Sequence, residues 1–246
     1  MMLRDFMSKR VLGYLSWRLH RQSQHRTDFM PALCRALGTA EVDHIVVTGD
    51  LTHLGHEVDF DKAGHILQQL GGPDRITLVP GNHDAYVEKP WCRKTFGLMP
   101  YLRSDPCAAD RTPSAPDAHP LPSWPSYRIR NGIAIIGVSS AGPTRPFSAT
   151  GYIGREQREK LKSILIRAAD QALFRLLLIH HPPVFGLVGR RRHLTDHGAL
   201  ADIIGQTGAE LLLHGHAHRF SEATIEGPCG KIAVVGVPAL TALSAK

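Results

Sequence analysis

Six short apolar runs divide the chain. They are HIVVTGD ending at Asp50, RITLVPGNH ending at His83, IAIIGVSS ending at Ser140, FRLLLIHHP ending at Pro182, and then AELLLHGH and KIAVVGVPA. Near-continuous apolar stretches of this length predict strands covered on both faces. Helical spacing appears between them. Phe60, Ala63, Leu67 and Leu70 share one face, as do Leu161, Ile164, Leu165 and Ala168, and then Leu200, Ile203 and Ile204. Strands alternating with helices predict an α/β domain.

The polar residues gather where the apolar runs end: Asp50, Asn82, His83, His180 and His216. Ligands of open α/β sheets bind beyond the carboxyl ends of strands, so residues distant in sequence can meet there. The run LLLHGHAHRF makes the point most sharply, because three leucines lead into His214, His216 and His218. Alternation places these three on one side if the extended conformation persists, although Gly215 allows the backbone to turn. Neutral imidazoles collected at a strand end suit a divalent metal. Between Glu88 and Ser126 the pattern breaks down, and proline is too frequent for a helix or a central strand. That stretch is read as a long surface loop or lid within a single domain of residues 1–246.

Composition narrows the class without naming a substrate. The chain has 246 residues, 43% of them hydrophobic and 21% charged, as in a soluble globular protein. No run approaches the roughly 20 apolar residues of a membrane span, and no membrane partner is expected. The basic start lacks the apolar core of a secretory signal. Cys34, Cys92, Cys107 and Cys229 are scattered, which is expected of reduced thiols in the cytoplasm. The net charge is +7, clustered at Lys9, Arg10, Arg18, Arg21 and Arg26 and again at Arg190, Arg191 and Arg192. Few aromatics interleave with these charges, so a nucleic-acid track has little support beside a solvated surface.

Taken in order, TGDLTH, PGNHDAY, IHHPPV and HGHAH carry a resemblance to the calcineurin-like metallophosphoesterases, of the phosphodiesterase type. The four blocks span residues 49 to 218, most of the chain, and GYIGREQREKLKSIL also resembles the helix preceding the strand-end His. The resemblance implies an αββα sandwich with two divalent metal ions (Mn, Fe or Zn) at the strand ends. Carried over residue by residue, Asp50 matches the carboxylate bridging both metals. Asn82, His180 and His216 match ligands of the second metal, and His218 matches a ligand of the first. His83 and Asp84 match a catalytic pair, the carboxylate orienting the imidazole. His181 is then a supporting or core histidine, and His214 is a hydrogen-bonded one. The implied reaction is hydrolysis of a small-molecule phosphodiester or phosphomonoester by a metal-bound hydroxide.

One departure stands out. The family opens with Asp-x-His at the end of its first strand, and none precedes Asp50; Asp5 has no His at the required spacing. The expectation is a chain without that first strand, its first metal short of protein ligands unless Asp5 or His53 substitutes. Two alternatives follow: a non-catalytic metal- or phosphate-binding remnant of the fold, or a basic nucleic-acid-processing member.

Overall fold

Strands β1 (Ile45–Val47) and β2 (Ile76–Leu78) pair in parallel, with Ile45 opposite Ile76 and Val47 opposite Leu78. The computed structural model describes residues 30–52, 55–85, 97–106, 123–145 and 147–239. Helix α1 (Met30–Thr39) precedes β1, and α2 (Glu57–Leu70) connects β1 to β2. A six-stranded sheet follows, built from β3 (Ser126–Arg130), β4 (Ile133–Val138), β5 (Phe174–Ile179), β6 (Leu211–His214), β7 (Ser221–Gly227) and β8 (Gly230–Gly236) in the order β3-β4-β5-β6-β8-β7. Its four central strands β4, β5, β6 and β8 run parallel, and an antiparallel strand closes each edge. Helix α4 (Arg155–Asp170) connects β4 to β5, and α5 (His197–Thr207) connects β5 to β6.

Alternation along the strands builds the layers. Ile76 and Leu78 of β2 pack with Phe60, Ala63 and Leu67 of α2, on the outer face of the small sheet. Ala134, Ile136 and Val138 of β4 and Leu177 and Ile179 of β5 pack with Leu161 and Leu165 of α4 and Leu200 and Ile204 of α5. The intervening residues point the other way. Val79, Ile135 and Leu178 form a third cluster with Val46, Ile133, Leu176 and Leu213, filling the space between the two sheets. Helices outside, two sheets inside: the arrangement is the expected αββα sandwich.

Three expectations need adjustment. Residues 97–106 are not surface loop, because α3 (Met99–Leu102) lies inside the stretch and Leu98, Met99, Tyr101 and Leu102 are buried against the small sheet. Buried Arg128 holds this segment, donating from Nε to the Arg103 carbonyl at 2.7 Å and from Nη2 to the Pro100 carbonyl at 2.7 Å. Proline at the start of a short helix is tolerated, since the first turn has no use for its missing N–H. The edge strands β3 and β7 were not expected, being polar and exposed at alternate positions. Finally, the extended conformation does not persist through the histidines. Strand β6 stops at His214, and His216 and His218 both take positive φ, 62° and 56°.

The expected role of Asp5, the basic residues of the N-terminal region, His53, and the segments 88–96 and 107–122 of the proline-rich stretch lie outside the described residues. Among the described residues, no helix is long and apolar enough to cross a membrane.

Candidate metal centre

The carboxyl ends of β1, β2, β5 and β6 carry the candidate residues, and hydrogen bonds between the loops set their positions. Gly215 donates its N–H to the His180 carbonyl at 3.1 Å, fixing the segment after β6 against the end of β5. Gly49, with φ 97°, follows β1 where no side chain fits: a Cβ there would lie 2.5 Å from Gly81 N and 2.8 Å from His180 Nδ1. Gly81 is equally constrained, since its Cβ would lie 2.4 Å from Asp50 N. These glycines let two loop backbones and an imidazole approach closely. Asp50 itself takes φ 59°, as His216 and His218 take similar values. Left-handed backbone at three non-glycine residues costs energy and collects at functional sites.

The loops bring four donors together. Nε2 of His180 lies 3.1 Å from Nδ1 of His216, 3.2 Å from Oδ1 of Asn82 and 3.3 Å from Oδ2 of Asp50. The other nitrogen, Nδ1, donates to the Thr48 carbonyl at 2.6 Å. A carbonyl cannot donate, so Nδ1 carries the proton and Nε2 presents either a lone pair or the second proton of an imidazolium. One proton cannot satisfy three acceptors. A cation can, and the donor set of one carboxylate, one amide oxygen and two imidazoles suits a divalent transition metal. Nε2 of His216 is moreover buried with no hydrogen-bond partner among the described residues. The residues present therefore fit the expected ion.

The electrostatics agree. Burial disfavours charge on His180, yet Asp50 beside it and the Thr48 carbonyl outweigh burial and raise its pKa. Burial acts against Asp50 too, but His180, His83 and the His83 N–H hold its carboxyl well below the usual range. His216 is pushed the other way by burial and by His180, so it stays neutral with a lone pair available. The His218 pKa is lowered by partial desolvation, which the Asp50 charge opposes.

Asp84 does something the motif alone did not convey. Its Oδ2 accepts from the N–H groups of Asp50 and Gly81, both at 2.9 Å, and its Oδ1 accepts from Thr52 N–H at 2.9 Å and Thr52 Oγ1 at 3.1 Å. Both oxygens are thus occupied in clasping the Asp50 loop to its neighbour. The His83 N–H donates to Asp50 Oδ1 at 2.9 Å, leaving Oδ2 toward His180. His181 is fully buried. Its Nδ1 pairs with Ser140 Oγ at 2.7 Å and its Nε2 donates to the Ala149 carbonyl at 3.2 Å, so both nitrogens are engaged although the ring lies among the metal-ligand candidates. Burial and the neighbouring His180 push its pKa down to about 3. His214 is buried in β6, its Nδ1 donating to the Gly215 carbonyl at 3.0 Å.

The sequence reading missed Thr48, whose carbonyl fixes the His180 tautomer, and Ser140, which holds His181. It also missed Arg192, which donates from Nη2 to the His216 carbonyl at 2.8 Å. Backbone acceptors leave no trace in residue type, so the first could not have been found; Ser140 ends an apolar run and could have been.

Comparison with known proteins bears on the fold and the family. A protein of Rhodococcus erythropolis named "Probable cyclic nucleotide phosphodiesterase" is 28% identical over 192 residues, 76% of this chain and 55% of its own length. A protein of Synechococcus with the same description is 26% identical over 202 residues, 80% of this chain and 64% of its own length. The chain thus spans between half and two thirds of these relatives. Among solved structures, a dimetal phosphatase from Danio rerio has the same fold (TM-score 0.58, 15% identity, 87% of this chain and 78% of that one). So does a purple acid phosphatase from yellow lupin (TM-score 0.59, 11% identity, 89% of this chain and 40% of that one). Residues 19–220 match the family model for calcineurin-like phosphoesterases, a range that contains every strand-end donor described above, and the chain belongs to that family.

Proposed function

We propose that the protein is a metal-dependent phosphoester hydrolase acting on small-molecule phosphodiesters or phosphomonoesters. The observation that carries this reading is the convergence of Asp50, Asn82 and His216 on Nε2 of His180. The names of the two phosphodiesterase relatives support it. In this reading Asn82, His180, His216 and Asp50 would hold one divalent cation, and Asp50 and His218 would contribute to a second; Mn, Fe or Zn suits such donors. When bound, the cations supply Lewis acidity, which offsets the charge of the phosphate and lowers the pKa of water.

The chain's own residues do the positioning. Thr48 keeps the proton of His180 on Nδ1, so that Nε2 faces the centre. The His83 N–H fixes Asp50 Oδ1. Asp84 keeps the Asp50 loop in its left-handed turn, a positioning role in place of the direct pairing with His83 that the resemblance implies. The His83 ring supplies a proton to the leaving oxygen, general acid catalysis that contributes about 10²–10⁴-fold.

The experiment is a paired measurement on Mn-loaded protein with bis(4-nitrophenyl) phosphate as substrate. His83→Ala is expected to lower kcat by about 10²-fold or more while the metal content stays as in the unaltered protein. A parallel loss of metal and activity would remove His83 from the proton-transfer role.

A further inference from the structure

We infer that three loops at the strand-end side of the large sheet form an interfacial surface that seats the molecule on an anionic lipid bilayer. The inference stands apart from the phosphoesterase reading, because it rests on residues outside the metal-ligand set. Among the large side chains with apolar rings, Phe147, Tyr152, Phe185 and Phe220 are between 59% and 74% exposed, and all four lie in these loops. Apolar rings standing in water cost free energy, and a group of them marks a contact surface.

The loops are tied to one another. Ala149 donates its N–H to the Arg191 carbonyl at 2.8 Å and Gly151 donates to the His193 carbonyl at 3.0 Å, which joins the segment of Phe147 and Tyr152 to the loop after β5. Within that loop the Phe185 ring meets the His193 ring edge to face, centroids 6.1 Å apart. The segment of Phe220 joins the same loop, since Arg219 Nη2 donates to the Leu187 carbonyl at 3.1 Å. Phe147 takes φ 63°, in a turn where the Ser148 N–H donates to the Arg145 carbonyl at 3.1 Å. Left-handed backbone is an outlier for so bulky a residue. Such strain collects at functional positions, and here it carries a ring that stands in solvent.

Charge identifies the partner. Residues 143–152, 183–195 and 217–220 carry exposed Arg145, Arg190, Arg191 and Arg219, and they contain no Asp or Glu. Among the described residues no carboxylate forms an ion pair with any of these four arginines. Rings beside guanidinium groups suit the boundary of a bilayer, where the rings enter between headgroup and acyl chain and the cations meet anionic headgroups. A single-stranded nucleic acid also takes rings and cations, but in succession along a groove; here they stand on three separate loops. The expectation of no membrane partner concerned spans, and a surface contact needs none.

The test is sedimentation of the full chain with two kinds of vesicle, phosphatidylcholine alone and equal parts phosphatidylcholine and phosphatidylglycerol. The unaltered protein is expected to bind the anionic vesicles and to leave the neutral ones. Arg190→Ala with Arg191→Ala should lower the partition coefficient about fivefold for each charge removed. Phe147→Ser with Phe220→Ser should lower it about tenfold or more. The loop variants decide the matter, because the basic residues between Lys9 and Arg26 attract anionic lipid by themselves. All four substituted side chains are exposed, and an unchanged circular dichroism spectrum would establish that the variants are folded; Phe220→Ser alone replaces a pair that unfolds.

Variants that bind as the unaltered protein does would overturn the proposal, as would equal binding to neutral and anionic vesicles. A loss in the arginine pair with none in the phenylalanine pair would leave charge attraction without insertion and would also overturn it. Tighter binding to poly(U) RNA than to vesicles, lost in the same variants, would reassign the surface to single-stranded nucleic acid.

Discussion

Asp84 shows how a residue singled out for chemistry can act through the backbone. Its two oxygens accept four hydrogen bonds, and three of the donors are N–H groups of the loops that carry Asp50 and Asn82. Replacement by Asn is nearly isosteric but turns one oxygen into an N–H donor facing other donors. Asp84→Asn should therefore destabilise the protein by about 1–3 kcal/mol, the cost of leaving a buried polar group unsatisfied, and should weaken metal binding as the Asp50 turn relaxes. Urea unfolding and metal analysis would read both effects. Loss of turnover with unchanged stability and metal content would instead favour the direct pairing with His83 that the motif implies. His180 is the complementary case, since the Thr48 carbonyl that fixes its proton could be supplied by any residue type.

Among the elements, those buried on both faces were legible and those at the edges were not. β2, β4, β5 and β6 stand out as apolar runs because helices cover one face and the other sheet covers the second, while β8 stands out by composition with only Ile232 and Val234 buried in the core. Strands β3 and β7 pair on one side only, and β7 reads SEATIEG, with too little apolar content to be distinguished from a loop. The strand-end positions of Asp50, Asn82, His180 and His216 were legible because polar residues follow apolar runs; the left-handed backbone at His216 and His218 that ends the alternation of histidines was not, although Gly215 marked a place where the chain can turn. The helices give a direct test of the layer model. Leu165 of α4 is fully buried against the large sheet, and Leu165→Ala should cost about 2–5 kcal/mol with metal binding retained.

Acid sensitivity has its own place in the elements. Glu210 bonds Arg175 through Nη2 at 2.6 Å and Nε at 3.0 Å, where α5 leads into β6 beside β5. These hydrogen bonds hold the Glu210 pKa below its ordinary value of 4.5, overcoming burial. A depressed carboxylate contributes stability above its unfolded pKa and loses that contribution as pH falls through the folded value. Stability should thus decline below about pH 4.5, and Glu210→Gln should decline less steeply over the same window, as followed by circular dichroism. The effect is small, because the Glu210 side chain is 36% exposed.

At the scale of the whole molecule, the two sheets meet at the site. Asp50 and Asn82 follow strands of the small sheet, and His180 and His216 follow strands of the large one. A cation held by all four would link the sheets, and by binding the folded state alone it would add stability. At a free Mn concentration of about 100 times Kd the gain is about 2.7 kcal/mol, readable as a shift of the urea midpoint that His216→Ala should abolish. The proposal made above is that this junction binds metal for phosphoester hydrolysis. Its most direct test is to dialyse the protein free of metal, titrate Mn back, and follow release of 4-nitrophenol from bis(4-nitrophenyl) phosphate beside the His216→Ala protein. The rate should rise to saturation with Mn in the unaltered protein and stay near that of buffer in the variant. Equal rates in the two proteins at every Mn concentration would contradict it.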